Sequence, residues 1–286
     1  MTKLFKVTAV FTALFGILSC NEIEQPQIQN AKSEKSMVST RAFNQKTPKM
    51  AVYVETNDVN PLNAGDYTMS DGTSFIDIVE LFAANIHKDG NGNPTLYLND
   101  KLTNVLENGG AATYVAPLQA KGIKVLLTIL GDWQGIGVAN MTDEQSTQFA
   151  AILAYAVNRY GLDGVGFDDE YANYSGSLVS DSFAKIIKKL HALMPSDKLI
   201  TVFDWGNTSQ IDAGASACID FAYHGYFGSY YTSSGITGMT TNKWSPISFN
   251  LGNYNSTANA KSFAERALED GYEVMMCFNL RTWLIT

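Results

Sequence analysis

Asp168 and Glu170 stand two residues apart at the end of an apolar run, Leu162-Asp163-Gly164-Val165-Gly166-Phe167-Asp168-Asp169-Glu170-Tyr171. In an extended strand alternate side chains share a face, so Gly166, Asp168 and Glu170 project to one side and Val165, Phe167 and Asp169 to the other. Three consecutive acids repel one another, and the repulsion favours retention of a proton by one of them. A carboxyl that stays protonated near neutral pH meets the requirement of a general acid, and an ionised partner lies on the same face. The same Asp-Asp-Glu run also suits a solvated turn capping the following segment, and spacing alone does not separate the two readings.

The elements that must hold this pair alternate between short apolar runs and helical patterns, the mark of a parallel β/α architecture. Eight candidate strands follow: Met50-Val54, Ile76-Phe82, Val125-Leu130, Gly164-Asp168, Leu199-Phe203, Phe221-Tyr226, Ile247-Asn250 and Val274-Asn279. Tyr114 to Ala120, Thr142 to Tyr160, Phe183 to Leu193 and Ser256 to Glu269 carry apolar residues at helical spacing, and Thr142 with Gln145 has the form of a capping box. The expected fold is α/β, an irregular (β/α)8 TIM-type barrel. The connections after strands one, five and six lack a clean helix, and the last helix is absent because the sequence stops at Thr286, a few residues past strand eight. In such a barrel reactive residues gather at the carboxyl ends of strands. Those ends carry Glu55, Asn57 and Asp58, then Asp132 and Trp133, then Asp168 to Tyr171. Later ends supply Asp204, Trp205, His224, Tyr226, Asn279 and Arg281.

A chain of 286 residues, 45% hydrophobic and 17% charged, can bury one large core. Its formal charge of -8 and the lack of a basic run in the domain exclude a phosphate backbone as partner, so no nucleic acid is expected. Aromatics at 12% suit stacking on sugar faces as well as a packed interior. Residues 1–20 form a targeting segment, with Lys3 and Lys6 ahead of an apolar stretch from Val7 to Leu18 that is too short to span a bilayer. Its end, Ile17-Leu18-Ser19-Cys20, resembles the bacterial lipoprotein signal. That implies an exported protein lipidated at Cys20, with the membrane engaged through the anchor alone. Polar residues 21–49 read as a flexible spacer, leaving 50–286 as the catalytic domain. Cys218 and Cys277 are too few for a disulfide framework, and their positions leave open free thiols or a single bridge. Asp89-Gly90-Asn91-Gly92-Asn93 departs from a calcium loop at Pro94 and Asp100 and reads as a hairpin turn. No metal site and no cofactor are expected.

The segment carrying Asp163, Asp168 and Glu170 resembles the signature of glycoside hydrolase family 18, an aspartate series ending in Asp-x-Glu after the fourth barrel strand. Glu55-Thr56-Asn57-Asp58 with Asn60-Pro61-Leu62-Asn63 is similar to the first strand and loop of the family's bacterial endo-β-N-acetylglucosaminidases. Ile123 to Gly131 is similar to their third strand, and Asp220-Phe221-Ala222-Tyr223-His224-Gly225-Tyr226 to their sixth. The resemblance implies retaining hydrolysis in which the substrate's own acetamido oxygen attacks the anomeric carbon. It implies that Glu170 protonates the leaving oxygen and later activates water, that Asp168 orients the acetamido group, and that Tyr226 hydrogen-bonds the oxazolinium-like intermediate. His224, Trp133, Asn57, Tyr171 and Asn279 are the substrate-binding candidates, with Trp205 a further stacking candidate. The implied partner is an N-linked glycan or another GlcNAc-containing oligosaccharide, bound by a monomer. Gly166 stands where the family's chitinases carry another Asp, so Asp168 is expected to lack its neighbouring carboxyl.

Overall fold

The computed structural model describes residues 46–174, 176, 178–253 and 257–281. The leader with Cys20, the spacer up to residue 45 and the chain end from residue 282 lie outside the described residues, so the lipidation, spacer and last-helix expectations do too.

The strands are β1 (Lys49–Glu55), β2 (Ile78–Lys88), β3 (Pro94–Tyr97), β4 (Lys124–Gly131), β5 (Gly164–Phe167), β6 (Leu199–Asp204), β7 (Phe221–His224), β8 (Trp244–Ser245), β9 (Ser248–Asn250) and β10 (Val274–Phe278). Nine of them run parallel in the order β8-β7-β6-β5-β4-β2-β1-β10-β9, and β3 pairs antiparallel with β2. The expected strands fall in place because each is an apolar run buried on both faces, as β4 is along its whole length. Two differ from expectation. β2 runs on to Lys88 because its end pairs with β3 through the turn at Asp89, whose carboxylate accepts from the Asn91 and Asn93 amides at 2.8 Å each. The seventh position is split. Pro246, which has no amide to donate, separates β8 beside β7 from β9 beside β10. The seam is nearly closed by a bridge between Phe227 and Ser248 and by the Ser248 hydroxyl, which donates to the His224 carbonyl at 2.6 Å.

The helices are α1 (Asp100–Leu106), α2 (Ala116–Ala120), α3 (Asp143–Tyr160), α4 (Ser182–Leu193), α5 (Ala213–Ala217) and α6 (Ala260–Glu269), with a π turn, Ala111–Val115, leading into α2. The capping box of α3 forms with both bonds between Thr142 and Gln145, and Gly161 closes the helix at φ 63°. α1 was not anticipated: two turns are too few for a periodic signal, and the Asn99 side chain, accepting from Leu102 N at 2.9 Å, starts it. α5 corrects the reading that the connection after the fifth barrel strand holds no helix. Its Ala-Gly-Ala-Ser-Ala composition hides the helical stripe, while Asp212 caps it through Ala215 N at 2.8 Å. The connections after the first and sixth barrel strands hold only the 3-10 turns Pro61–Asp66 and Thr241–Lys243.

Two layers of core result. Aliphatic side chains pack between strands and helices, while Tyr53, Ile78, Leu126, Tyr223 and Met276 fill the barrel interior. At the amino end of β5, Asp163 pairs with Lys124 at 3.3 Å and accepts from the Val125 amide at 3.0 Å. It therefore ties strands together at the end of the barrel opposite Asp168 and Glu170. Cys218 and Cys277 are free thiols.

Candidate active site

β5 ends at Phe167, and the chain continues along the loop that follows β4. Asp168 N donates to the Ile129 carbonyl at 3.0 Å, Gly131 N to Glu170 O at 3.0 Å, Trp133 N to Tyr171 O at 2.6 Å and Gly135 N to Ala172 O at 3.0 Å. This backbone lattice fixes both acids to the barrel rim. It requires glycine at 131, where a Cβ would stand 2.4 Å from Glu170 O and 2.5 Å from Ala172 N. The alternation of faces persists past the strand end. Asp169 turns outward and accepts from the Tyr174 hydroxyl at 2.5 Å and from Asn207 N and Nδ2 at 2.8 Å each, which anchors the loop behind the site.

Asp168 and Glu170 turn into a cavity of about 520 Å³ at the carboxyl end of the barrel, shared with Tyr171, Tyr226, Trp205 and Glu55 and floored by Tyr53, Phe82, Phe203 and Phe278. Asp168 is buried, and its Oδ1 has no hydrogen-bond partner among the described residues. Burial, then the charge of Glu170, push its carboxyl well above the usual carboxylate range. Glu170 is half-buried, and burial followed by the charge of Asp169 raises it too. No ion pair among the described residues involves either acid, so nothing nearby opposes these shifts. The site thus holds a half-exposed carboxyl that tends to keep its proton beside a buried one with a free acceptor atom.

The other sequence candidates fall at different depths. Tyr226 is 56% exposed on the cavity wall, its ring 5.2 Å from that of Trp205. Tyr171 is 50% exposed on the cavity wall, and Trp133, which does not line the cavity itself, is 64% exposed beside it, with ring centroids 5.5 Å apart. Both adopt left-handed backbone, φ 56° and 57°, a conformation that costs a non-glycine residue about 1 kcal/mol or more and gathers at ligand-binding sites. Trp133→Ala should therefore raise KM about 3- to 10-fold, the worth of one aromatic contact, with little change in Tm. Steady-state kinetics on a glycopeptide would check it.

His224 does not line the cavity. It is buried against Tyr231 at 4.0 Å, its Nε2 has no partner among the described residues, and burial lowers its pKa. Asn57 is exposed on the loop after β1 and accepts from Asn99 Nδ2 at 3.0 Å, away from the cavity lining. Asn279 is buried and spends both ends of its amide on Glu55. Its Nδ2 donates to Oε2 at 2.5 Å and its Oδ1 accepts from Glu55 N at 3.3 Å. With Arg281 donating to the same Oε2 at 2.7 Å, it holds Glu55 on the cavity wall.

Two acids escaped the sequence reading as site residues. Glu55 was visible as a strand-end acid. Glu80, on β2, is wholly enclosed beneath the cavity and corrects the expectation of a missing carboxyl. The space left by Gly166 is filled by the Glu80 side chain, since a Cβ at 166 would stand 2.3 Å from Glu80 Oε2. A lone acid in the apolar run from Ile78 to Ala84 was its signal.

No family model matches the chain. An endo-β-N-acetylglucosaminidase from a Flavobacterium species is 38% identical over 242 residues, 82% of this chain and 75% of that protein. Endo-β-N-acetylglucosaminidase F1 of Elizabethkingia meningoseptica is 34% identical over 247 residues, 81% of this chain and 71% of that protein. Bacteroides thetaiotamicron EndoBT-3987, solved with a Man5GlcNAc product, superposes with a TM-score of 0.71 at 31% identity over 84% of this chain and 58% of its own. With Man9GlcNAc2Asn substrate it superposes with a TM-score of 0.70 at 30% identity, over 84% of this chain and 62% of its own. The chain thus spans less than two thirds of the length of that structure.

Proposed function

The chain belongs to the bacterial endo-β-N-acetylglucosaminidases of glycoside hydrolase family 18, and on that footing we propose that it hydrolyses the GlcNAc-β-1,4-GlcNAc bond in the core of N-linked glycans. The observation that carries the reading is the pairing of a half-exposed, proton-retaining Glu170 with a buried Asp168 whose Oδ1 is free to accept. An enzyme nucleophile would have to be an ionised carboxylate open to the anomeric carbon. Asp168 is buried, and Glu55 is engaged by Asn279 and Arg281. The nucleophile is therefore assigned to the substrate's acetamido oxygen.

In this mechanism Asp168 accepts the acetamido N–H and turns the carbonyl oxygen toward the anomeric carbon. Glu170 donates its proton to the glycosidic oxygen as that bond breaks, and Tyr226 hydrogen-bonds the oxazolinium-like intermediate. Ionised Glu170 then takes a proton from water, which opens the intermediate from the same face and leaves the configuration retained. Cavity aromatics such as Trp205 and Tyr171 supply apolar surface for sugar faces. The binding of N-glycan product and substrate by the Bacteroides relative supports the choice of substrate.

The test is mass loss. A high-mannose glycoprotein treated with the enzyme should keep one GlcNAc at each site. Cleavage of chitin oligomers in its place, or binding without turnover, would overturn the assignment.

Lys3, Lys6, the apolar stretch after them and Cys20 support a second part of the proposal, an exported lipoprotein held at the bacterial envelope by its lipid. Cys20→Ser should release the protein from the membrane fraction.

A further inference from the structure

Glu80 is the most enclosed acid of the barrel and has no role in the mechanism above. Its Oε1 accepts from the Thr201 hydroxyl at 2.5 Å and from the Tyr223 hydroxyl at 3.4 Å, and its Oε2 from the Thr128 hydroxyl at 3.1 Å. β6, β7 and β4 thus each aim one hydroxyl at it. β5 makes room for it by having no side chain at Gly166, and two residues further on the same strand line presents Asp168. β1 contributes Tyr53, buried and with no hydrogen-bond partner for its hydroxyl among the described residues, and β10 contributes Met276. The titratable groups facing Glu80 are therefore Tyr53, Tyr223 and Asp168, and none of them is a cation. Lys124, near the amino end of β4, is paired with Asp163.

Two carboxyls in an enclosure without a counter-charge carry one negative charge more readily than two, and they titrate as a pair. With three hydroxyls pointed at it, Glu80 is built to carry that charge. Asp168, with a free Oδ1, is built to receive a donor from outside. We propose that Glu80 is a positioning residue whose charge state governs whether Asp168 meets the acetamido N–H as a carboxylate. At rest the charge lies on Glu80 and the proton on Asp168. When the substrate's N–H reaches Asp168, one O–H bond is lost there and one is formed on Glu80, and the pair's net charge is unchanged. Burial raises Glu80 to about 7 against the pull of its three hydroxyls, which keeps it able to take that proton near neutral pH. The inference rests on the reading of Asp168 as the acetamido partner.

The experiment is the pH profile of kcat/KM on a high-mannose glycopeptide for the wild type, Glu80→Gln and Thr128→Val. Glutamine keeps the shape but cannot take the charge, so the active anion forms only when Asp168 itself ionises, the harder of the two ionisations, and the acid limb should move up by about one unit. Thr128→Val takes one donor from the Glu80 anion and should move the limb the same way by less. A Glu80→Gln enzyme that folds and loses activity equally at every pH, with its acid limb unmoved, would overturn the inference. Should that variant fail to fold, an unmoved limb in Thr128→Val would overturn it as well. Failure of the wild type to cleave the glycopeptide at all would instead reject the proposed function, so the two failures are distinguishable.

Discussion

Glu170→Gln should lower kcat on a high-mannose glycopeptide by about 10²- to 10⁴-fold, the usual worth of a positioned general acid, while KM changes little. The amide matches the carboxyl in shape and cannot give up a proton. Glu170 is half-buried beside two other acids, and its raised pKa keeps it protonated where a free carboxyl would have ionised. The sign follows: turnover by the wild type should fall as pH rises through that elevated value, because the deprotonated enzyme has no acid to offer. Steady-state kinetics with a thermal melt settle the matter. A variant with near-wild-type kcat and an unchanged basic limb would remove Glu170 from its role.

Gly131→Ala should impair both fold and reaction. The added methyl meets backbone, 2.4 Å from Glu170 O and 2.5 Å from Ala172 N, and no side chain can swing aside to receive it. Overpacking of this kind costs about 1–3 kcal/mol, and displacement of a reacting group by about 1 Å costs about 10² in rate. We expect a lower Tm together with a kcat reduced about 10²-fold. Gly131 N also donates to Glu170 O, so relief of the clash must move the acid itself. A variant with unchanged kcat would mean that the rim segment is held by something other than this lattice.

Local rules carried the sequence reading a long way. The period of two in Val165 to Glu170 already separated Gly166 and Asp168 from Asp169, and the structure keeps that separation although the strand itself ends at Phe167. The barrel strands were legible because each is a short run buried on both faces. Features that depend on distant partners were not. Glu80 looks like a stray acid until Thr201, 121 residues away, donates to it and Gly166 yields the space. Asn279 was placed correctly at a strand end, yet its amide serves Glu55, 224 residues away, a pairing that only barrel closure creates. The seventh strand, read at Ile247-Asn250, is β9 alone; β8 was missed because Pro246 cuts its two residues off from that run. The short α5 was hidden by residues too small to mark a buried stripe.

The division of labour between the two acids makes the substrate's acetamido group a reactant as well as a handle. Its most direct test is the dependence of kcat on the nucleophilicity of that group, measured with glycopeptides whose core GlcNAc at the cleaved bond carries N-acetyl, N-fluoroacetyl or N-trifluoroacetyl. Fluorine withdraws electrons from the amide oxygen, so kcat should fall steeply along the series. Equal kcat across the three would contradict substrate-assisted attack and return the nucleophile to a carboxylate of the protein.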